Sequence, residues 1–302
     1  MVIKYCRIEG GNFGDDLNTL LWPRLFPDLA QLKDRVLFYG IGTLLDGRHD
    51  TRVKKVVLGT GLGEARAART DPNWDFRWVR GPQSAREFNL SSQLALGDSA
   101  LLWPGLQGGA DAHGPIGLIP HYATWDSYDW TGVAAQAGMV AINPHQSPVA
   151  VIAQMRQCSR ILTESLHGAI CADAMGIPWA ACILAHRFND FKWQDWLATV
   201  QRPFAPLLID RPLVRRISRP KALANQLARW THYRHQTRHP ALRAVAVATR
   251  ADVSHVAATL ACYARTDAHF SCSPAPAVAR QKERMLYACA DFARDYQLRF
   301  TP

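Results

Sequence analysis

A chain of 302 residues that is 48% hydrophobic and 20% charged can bury a large core, which excludes global disorder. Its seven cysteines form no C-x-x-C pair and are odd in number, which argues against a disulfide framework or a zinc cage and for reduced thiols. The formal charge of +10 is uneven: residues 211–250 hold ten Lys and Arg and no Asp or Glu, so one segment matches the whole surplus.

The first third alternates short apolar runs with helical or glycine turns. "VIKYCRI" (2–8) reads as a strand and "DDLNTLLWPRLF" (15–26) as a helix broken near Pro23. "VLFYGIGTLL" (36–45), "KKVVLGTGLG" (55–63) and "FRWVRG" (76–81) read as strands, with a helix in "PQSAREFNL". "LALGDSALL" (94–102) reads as a further strand and turn. After a glycine-rich loop (103–114) the pattern restarts, with strands in "PIGLIPHY", "MVAINP", "SRILTE" and "PWAACIL". Helices are expected in "TGVAAQAG", "SPVAVIAQMRQC" and "SLHGAICADAMG". This βα alternation implies a second parallel sheet with right-handed crossovers. Beyond Pro220 come alanine-rich helices, one of them in 240–265. The expected organisation is α/β: lobes at 1–114 and 115–210 facing a cleft, then a basic helical extension at 211–302.

Ligands of such sheets sit beyond the carboxyl ends of the strands. Residues 164–168, "ESLHG", lie at one such end and open a helix, whose free N–H groups favour an anion. Ser165 can cap that helix, Gly168 lies in its first turn, and His167 can donate a hydrogen bond or a proton to the ligand. "AHRFNDFKWQDW" (185–196) adds His186, Arg187 and Lys192 after the next strand. Arg80, ending a first-lobe strand, has a fork suited to carboxylate or phosphate. "GGNFGDDLN" (10–18) places Asn12, Asp15 and Asp16 in a glycine-rich loop; the paired aspartates suit sugar hydroxyls better than an anion. His121 in "LIPHY" faces the same cleft. There is no P-loop, no dinucleotide fingerprint and no zinc spacing, so neither a metal nor a cofactor is demanded.

These stretches together, "GGNFGDDLN", "VRGPQSA", "GDSALL", "LIPHY", "ESLHGAICADAMGIP" and "FKWQDW", resemble the polysaccharide pyruvyl transferases, in family order over roughly residues 10–200. The likeness is nearest to members that place a pyruvate ketal on bacterial exopolysaccharide. The resemblance implies two Rossmann-like lobes of the GT-B type, phosphoenolpyruvate as donor and a sugar, on a lipid-linked repeat unit, as acceptor. His167 would then be general acid or phosphate partner. Ser165, Gly168, Arg80, Arg187 and Lys192 would hold phosphoenolpyruvate, and Asn12, Asp15, Asp16 and His121 the acceptor, with an aspartate as base. The expected setting is cytoplasmic. Arg215, Arg216, Arg219, Lys221 and Arg229, with Trp230, would meet an anionic membrane surface. Two rival readings are a nucleotide-sugar glycosyltransferase on the same fold and a nucleic-acid-binding protein that uses the basic segment. The second leaves the histidine site unexplained.

Overall fold

The computed structural model describes residues 3–33, 35–45, 50–63, 70–109, 111–185, 188–214 and 247–302. His186, Arg187 and the basic residues Arg215, Arg216, Arg219, Lys221 and Arg229, with Trp230, lie outside them.

Two parallel sheets form the frame. The first has β1 (Ile3–Lys4), β2 (Val36–Tyr39), β3 (Lys54–Leu58) and β4 (Trp74–Trp78), in that spatial order. The second has β5 (Ile116–Ile119), β6 (Met139–Ala141), β7 (Arg160–Thr163), β8 (Trp179–Ile183) and β9 (Leu207–Leu208), ordered β6-β5-β7-β8-β9. All described strand pairs are parallel. The interior strand β8, between β7 and β9, is buried along its whole length, as a strand covered on both faces must be. The first sheet keeps chain order. In the second, the chain leaves β5 toward β6 and returns to the other side at β7, so the order reverses between β5 and β7. Ligands of such sheets bind in the crevice beyond the strand ends at this point.

Helices cover both sheets. In the first half these are α1 (Phe13–Asp16), α2 (Asn18–Leu25) and α3 (Pro82–Glu87). In the second they are α4 (Tyr122–Trp125), α5 (Trp130–Gln136), α6 (Pro148–Arg156), α7 (Leu166–Ala174) and α8 (Asp190–Leu197). Near the C-terminus come α9 (Arg250–Ala264) and α10 (Ala275–Tyr296).

The largest core cluster joins the halves, running from Phe13, Trp22 and Phe38 through Ile119 and Ile161 to Trp179 and Trp196. Residues 250–302 are part of these cores rather than appended to them. Val256, Ala257 and Leu260 of α9 pack with Trp130 and Leu162 of the second half. The α10 helix returns to the first half, where the Phe292 ring lies 5.1 Å from Phe26 and 5.7 Å from Phe38.

Three local expectations differ. The α2 helix runs through Pro23 to Leu25, because Leu21, Trp22 and Leu25 are buried and packing outweighs the hydrogen bond proline removes. Residues 94–102 make only an isolated bridge, Ala95 to Val79; Gly97 then turns at φ +120° into a 3₁₀ turn over Ser99–Leu102. Of the helix expected over 240–265, residues 240–246 lie outside the described residues; 247–249 are not helical and the helix runs over Arg250–Ala264, where Thr249 and Asp252 form a reciprocal capping box.

Candidate active site

Glu164, at the end of β7, organises the crevice. Its Oε1 accepts hydrogen bonds from the Leu184 and Ala185 N–H groups at 3.0 and 2.8 Å, and its Oε2 from His121 N–H at 3.0 Å. One carboxylate thus ties together the ends of β5, β7 and β8. Burial pushes it above the usual carboxylate range, against those hydrogen bonds.

The α7 helix starts here. Ser165 Oγ caps it, accepting from Gly168 N–H at 3.4 Å. Gly168 lies against the Thr163 side chain, so a methyl group there would meet Thr163 Oγ1 at 2.5 Å. His167 leaves the first turn of α7 and enters the first half of the molecule. A Cβ on Gly14 would stand 2.0 Å from His167 Nδ1, so only glycine leaves the ring its place. On the ring's other side, His167 Nε2 lies 3.7 Å from Oδ2 of Asp98.

The loop under the ring is held from the first sheet. Asn18 is fully buried and saturated: its Nδ2 donates to the Asp15 and Ile41 carbonyls, and its Oδ1 accepts from Ile41 N–H and Trp22 Nε1. That network fixes Asp15, which accepts from Asn12 Nδ2 at 2.7 Å. Burial pushes Asp15 up, while the nearby His167 and Lys192 charges and the Asn12 amide pull it back. The two aspartates therefore separate. Asp15 is within electrostatic reach of the histidine and the lysine, whereas Asp16 Oδ2 accepts the Asn12 backbone N–H at 3.0 Å and closes its own turn.

Lys192 arrives on α8. Asn189 caps that helix by accepting from Lys192 N–H at 3.2 Å, and its Nδ2 donates to Gly63 O of the first half at 2.8 Å. Burial, then the charge of Arg80, pushes the Lys192 ammonium down to about 8, with Asp15 and Glu164 opposing. His121 is held well below its ordinary value by burial, with Lys192, His167 and His145 adding to the effect.

Arg80 sits elsewhere than expected. It is 1% exposed, and its guanidinium donates to the Leu62 carbonyl, to Thr43 Oγ1 at 3.0 Å and toward Gly42 O at 3.4 Å. Its Nε lies 3.4 Å from Asp195 Oδ2. Protein acceptors take up both terminal nitrogens, while the buried Nε has no hydrogen-bond partner among the described residues, so Arg80 is built into the packing between the halves and its charge reaches Lys192. Asp195 in turn accepts from Gln83 N–H, Ser84 N–H and Ser84 Oγ, which caps α3 from the opposite half. The start of α3 has no capping side chain of its own.

Among the described residues, no group of three or more His, Cys, Asp or Glu side chains is arranged to hold a metal ion. No described helix is long and apolar enough to cross a membrane.

The polysaccharide pyruvyl transferase family profile matches residues 8–184, more than half of the chain. The chain belongs to that family. It is also 34% identical over 208 residues to the succinoglycan biosynthesis protein ExoV of Rhizobium meliloti (strain 1021), a stretch covering 67% of this chain and 66% of that protein. The chain thus spans just under two thirds of the length of that relative. No solved structure matches the chain. Within this family member the profile takes in Asp15, Asp98, His121, Glu164 and His167, and ends before Lys192 and Asp195.

Three residues of the site were not singled out from the sequence. Asp98 and Glu164 both stand where an apolar run ends, the signal that selected His167. Each looked like a local cap or a strand residue because its partners are 20 or more positions away. His145 sits in a loop, where its Nδ1 meets Gly11 O at 2.6 Å and its Nε2 meets Asp126 at 3.0 Å.

Proposed function

We propose that this protein transfers pyruvate from phosphoenolpyruvate to two hydroxyls of a sugar, making a cyclic ketal and releasing phosphate. The observation that carries this reading is that His167 and Lys192 lie within electrostatic reach of Asp15, beyond the strand ends of a pyruvyl transferase family member. The relative's part in succinoglycan biosynthesis suggests an exopolysaccharide repeat unit as acceptor. The ten cations between 211 and 250 would hold a lipid-linked acceptor at an anionic membrane surface. The two sheets would act as GT-B-like lobes, the first binding acceptor and the second donor.

The chemistry assigns work to each group. Phosphoenolpyruvate carries a phosphate and a carboxylate, which Lys192 and the α7 N-terminus would neutralise, with Ser165 and Gly168 shaping that turn. His167 would give its proton to the methylene carbon, making the methyl group and an electron-poor central carbon. A sugar hydroxyl attacks that carbon and loses its proton to Asp15. The C–O bond to phosphate breaks, and a second hydroxyl closes the ring. Two hydroxyl protons leave; one replaces the proton His167 gave and the other departs with phosphate. Asp15 is the better placed aspartate for this, because Asp16 already holds backbone. Asn12 orients Asp15, and His121, uncharged, can bond a hydroxyl.

The test is incubation with phosphoenolpyruvate and a sugar acceptor, reading phosphate release and the ketal methyl signal by proton NMR. Both should appear together, and His167→Ala should lose about 10²-fold or more in rate. In thermal denaturation, phosphoenolpyruvate at 100 times its dissociation constant adds about 2.7 kcal/mol. Stabilisation by a nucleotide sugar instead, with no phosphate release, would replace this reading with glycosyl transfer.

A further inference from the structure

Two buried polar atoms face each other in the site without touching. Asp98 is fully buried. Its Oδ1 accepts from Ala100 N–H at 3.0 Å, but its Oδ2 has no hydrogen-bond partner among the described residues. The same is true of His167 Nε2, 3.7 Å away. Leaving a buried carboxylate oxygen and a buried ring nitrogen unpaired is costly, and such atoms call for an explanation. A movement of under about 1 Å would bring them to hydrogen-bond distance. The two belong to different halves of the molecule. Asp98 follows the first sheet, and His167 starts the helix after β7. A shift of one half against the other therefore opens or closes this contact.

We propose that Asp98 is the positioning residue of His167. Its carboxylate takes the Nε2–H of the ring when the halves close on substrate, which leaves Nδ1 as the nitrogen that exchanges a proton with the reacting carbon. This rests on the pyruvyl-transfer reading for its last clause only. The aspartate stays ionised throughout. It fixes the tautomer, the ring's orientation and the charge His167 carries between proton transfers. The site residue and its partner thus come from opposite halves, which ties proton transfer to closure.

The experiment combines kinetics with ring 15N NMR of His167 in the full chain. Wild-type neutral His167 should be protonated on Nε2. Asp98→Asn keeps an oxygen for the Ala100 N–H, and it should mix the tautomers. It should lower kcat about 10²-fold while KM for phosphoenolpyruvate stays within about threefold. If Asp98 only caps its 3₁₀ turn, the asparagine variant will match wild type in tautomer and in kcat, and the proposal falls. A wild-type ring protonated on Nδ1 also overturns it, and that measurement stands even where the variant does not fold. If wild type transfers no pyruvate, the functional reading fails by itself, while the tautomers still decide whether Asp98 orients the ring.

Discussion

Two aspartates bridge the halves of this molecule, and they do so in opposite ways. Asp195 has both oxygens in use: it accepts from two N–H groups and a hydroxyl of α3, with the Arg80 guanidinium alongside. Asp98 is half-used: one oxygen caps a turn and the other waits 3.7 Å from a histidine. Both are fully buried. A buried carboxylate with both oxygens hydrogen-bonded fixes a geometry, and moving it breaks several charge-assisted bonds together. A buried carboxylate with an oxygen in reserve can take up a proton donor at small motion. The first is therefore a pin between the halves, and the second is a working contact that the pin keeps in range.

Asp195→Ala attacks the pin and should have the largest effect on stability. It strands Arg80 without its anion, uncaps α3 and leaves the Ser84 hydroxyl proton without its acceptor, although Ser84 Oγ still accepts from Leu62 N–H. Breaking a buried pair of this kind costs about 3–5 kcal/mol. Asp98→Asn should cost about 1 kcal/mol or less, since its cap survives. Urea unfolding of both variants gives the comparison. Equal losses would mean that the two aspartates do the same structural work.

Gly14→Ala attacks the working contact from the other side. The new methyl group would stand 2.0 Å from His167 Nδ1 and 2.2 Å from Cγ, so the ring must leave its place. Overpacking of this sort costs about 1–3 kcal/mol. Pyruvyl transfer should fall far more than the stability loss explains, because the displaced ring loses Asp98 as well. Activity near wild type in a folded Gly14→Ala protein would mean that the ring does not need this seat.

The sheets were legible because their signal is local: apolar runs of strand length ending at turn residues, several of them followed by a helix. Ser165 as cap and His167 in a first turn at a strand end followed from the same signal. What remained hidden was set by partners from the other half. Nothing near Arg80 in the chain tells that Asp195 lies beside it, 115 positions on, or that its terminal nitrogens donate to the Leu62 carbonyl and Thr43. Nothing near Asp15 or Asp16 tells which one closes its own turn; the choice comes from Asn12 and Asn18 folding the loop onto Ile41. The helices after residue 250 read as an extension because the surfaces they cover, Phe26 and Trp130 among them, lie more than a hundred residues earlier.

Lys192 gives the finest test, since Asp195 holds its helix against the first half. Its ammonium sits at about 8 against an ordinary 10.5, so the unfolded chain binds this proton more tightly than the folded one. The signs for stability and for binding are then opposite. Below about pH 8 the lysine is charged in both states and penalises folding by a constant amount; between about 8 and 10.5 that penalty shrinks as pH rises. Lys192→Met should therefore be more stable than wild type at pH 7, and the gain should narrow above pH 8. A bound anion does the reverse, favouring the charged form and raising its titration. Stabilisation by phosphoenolpyruvate should be full below about pH 8 and weaken as pH rises beyond it, while in Lys192→Met it should be small and flat. Thermal unfolding with and without phosphoenolpyruvate at pH 7, 8 and 9 reads both trends. A wild-type response that stays flat across that range would remove Lys192 from the anion site and leave it as a further member of the packing between the halves.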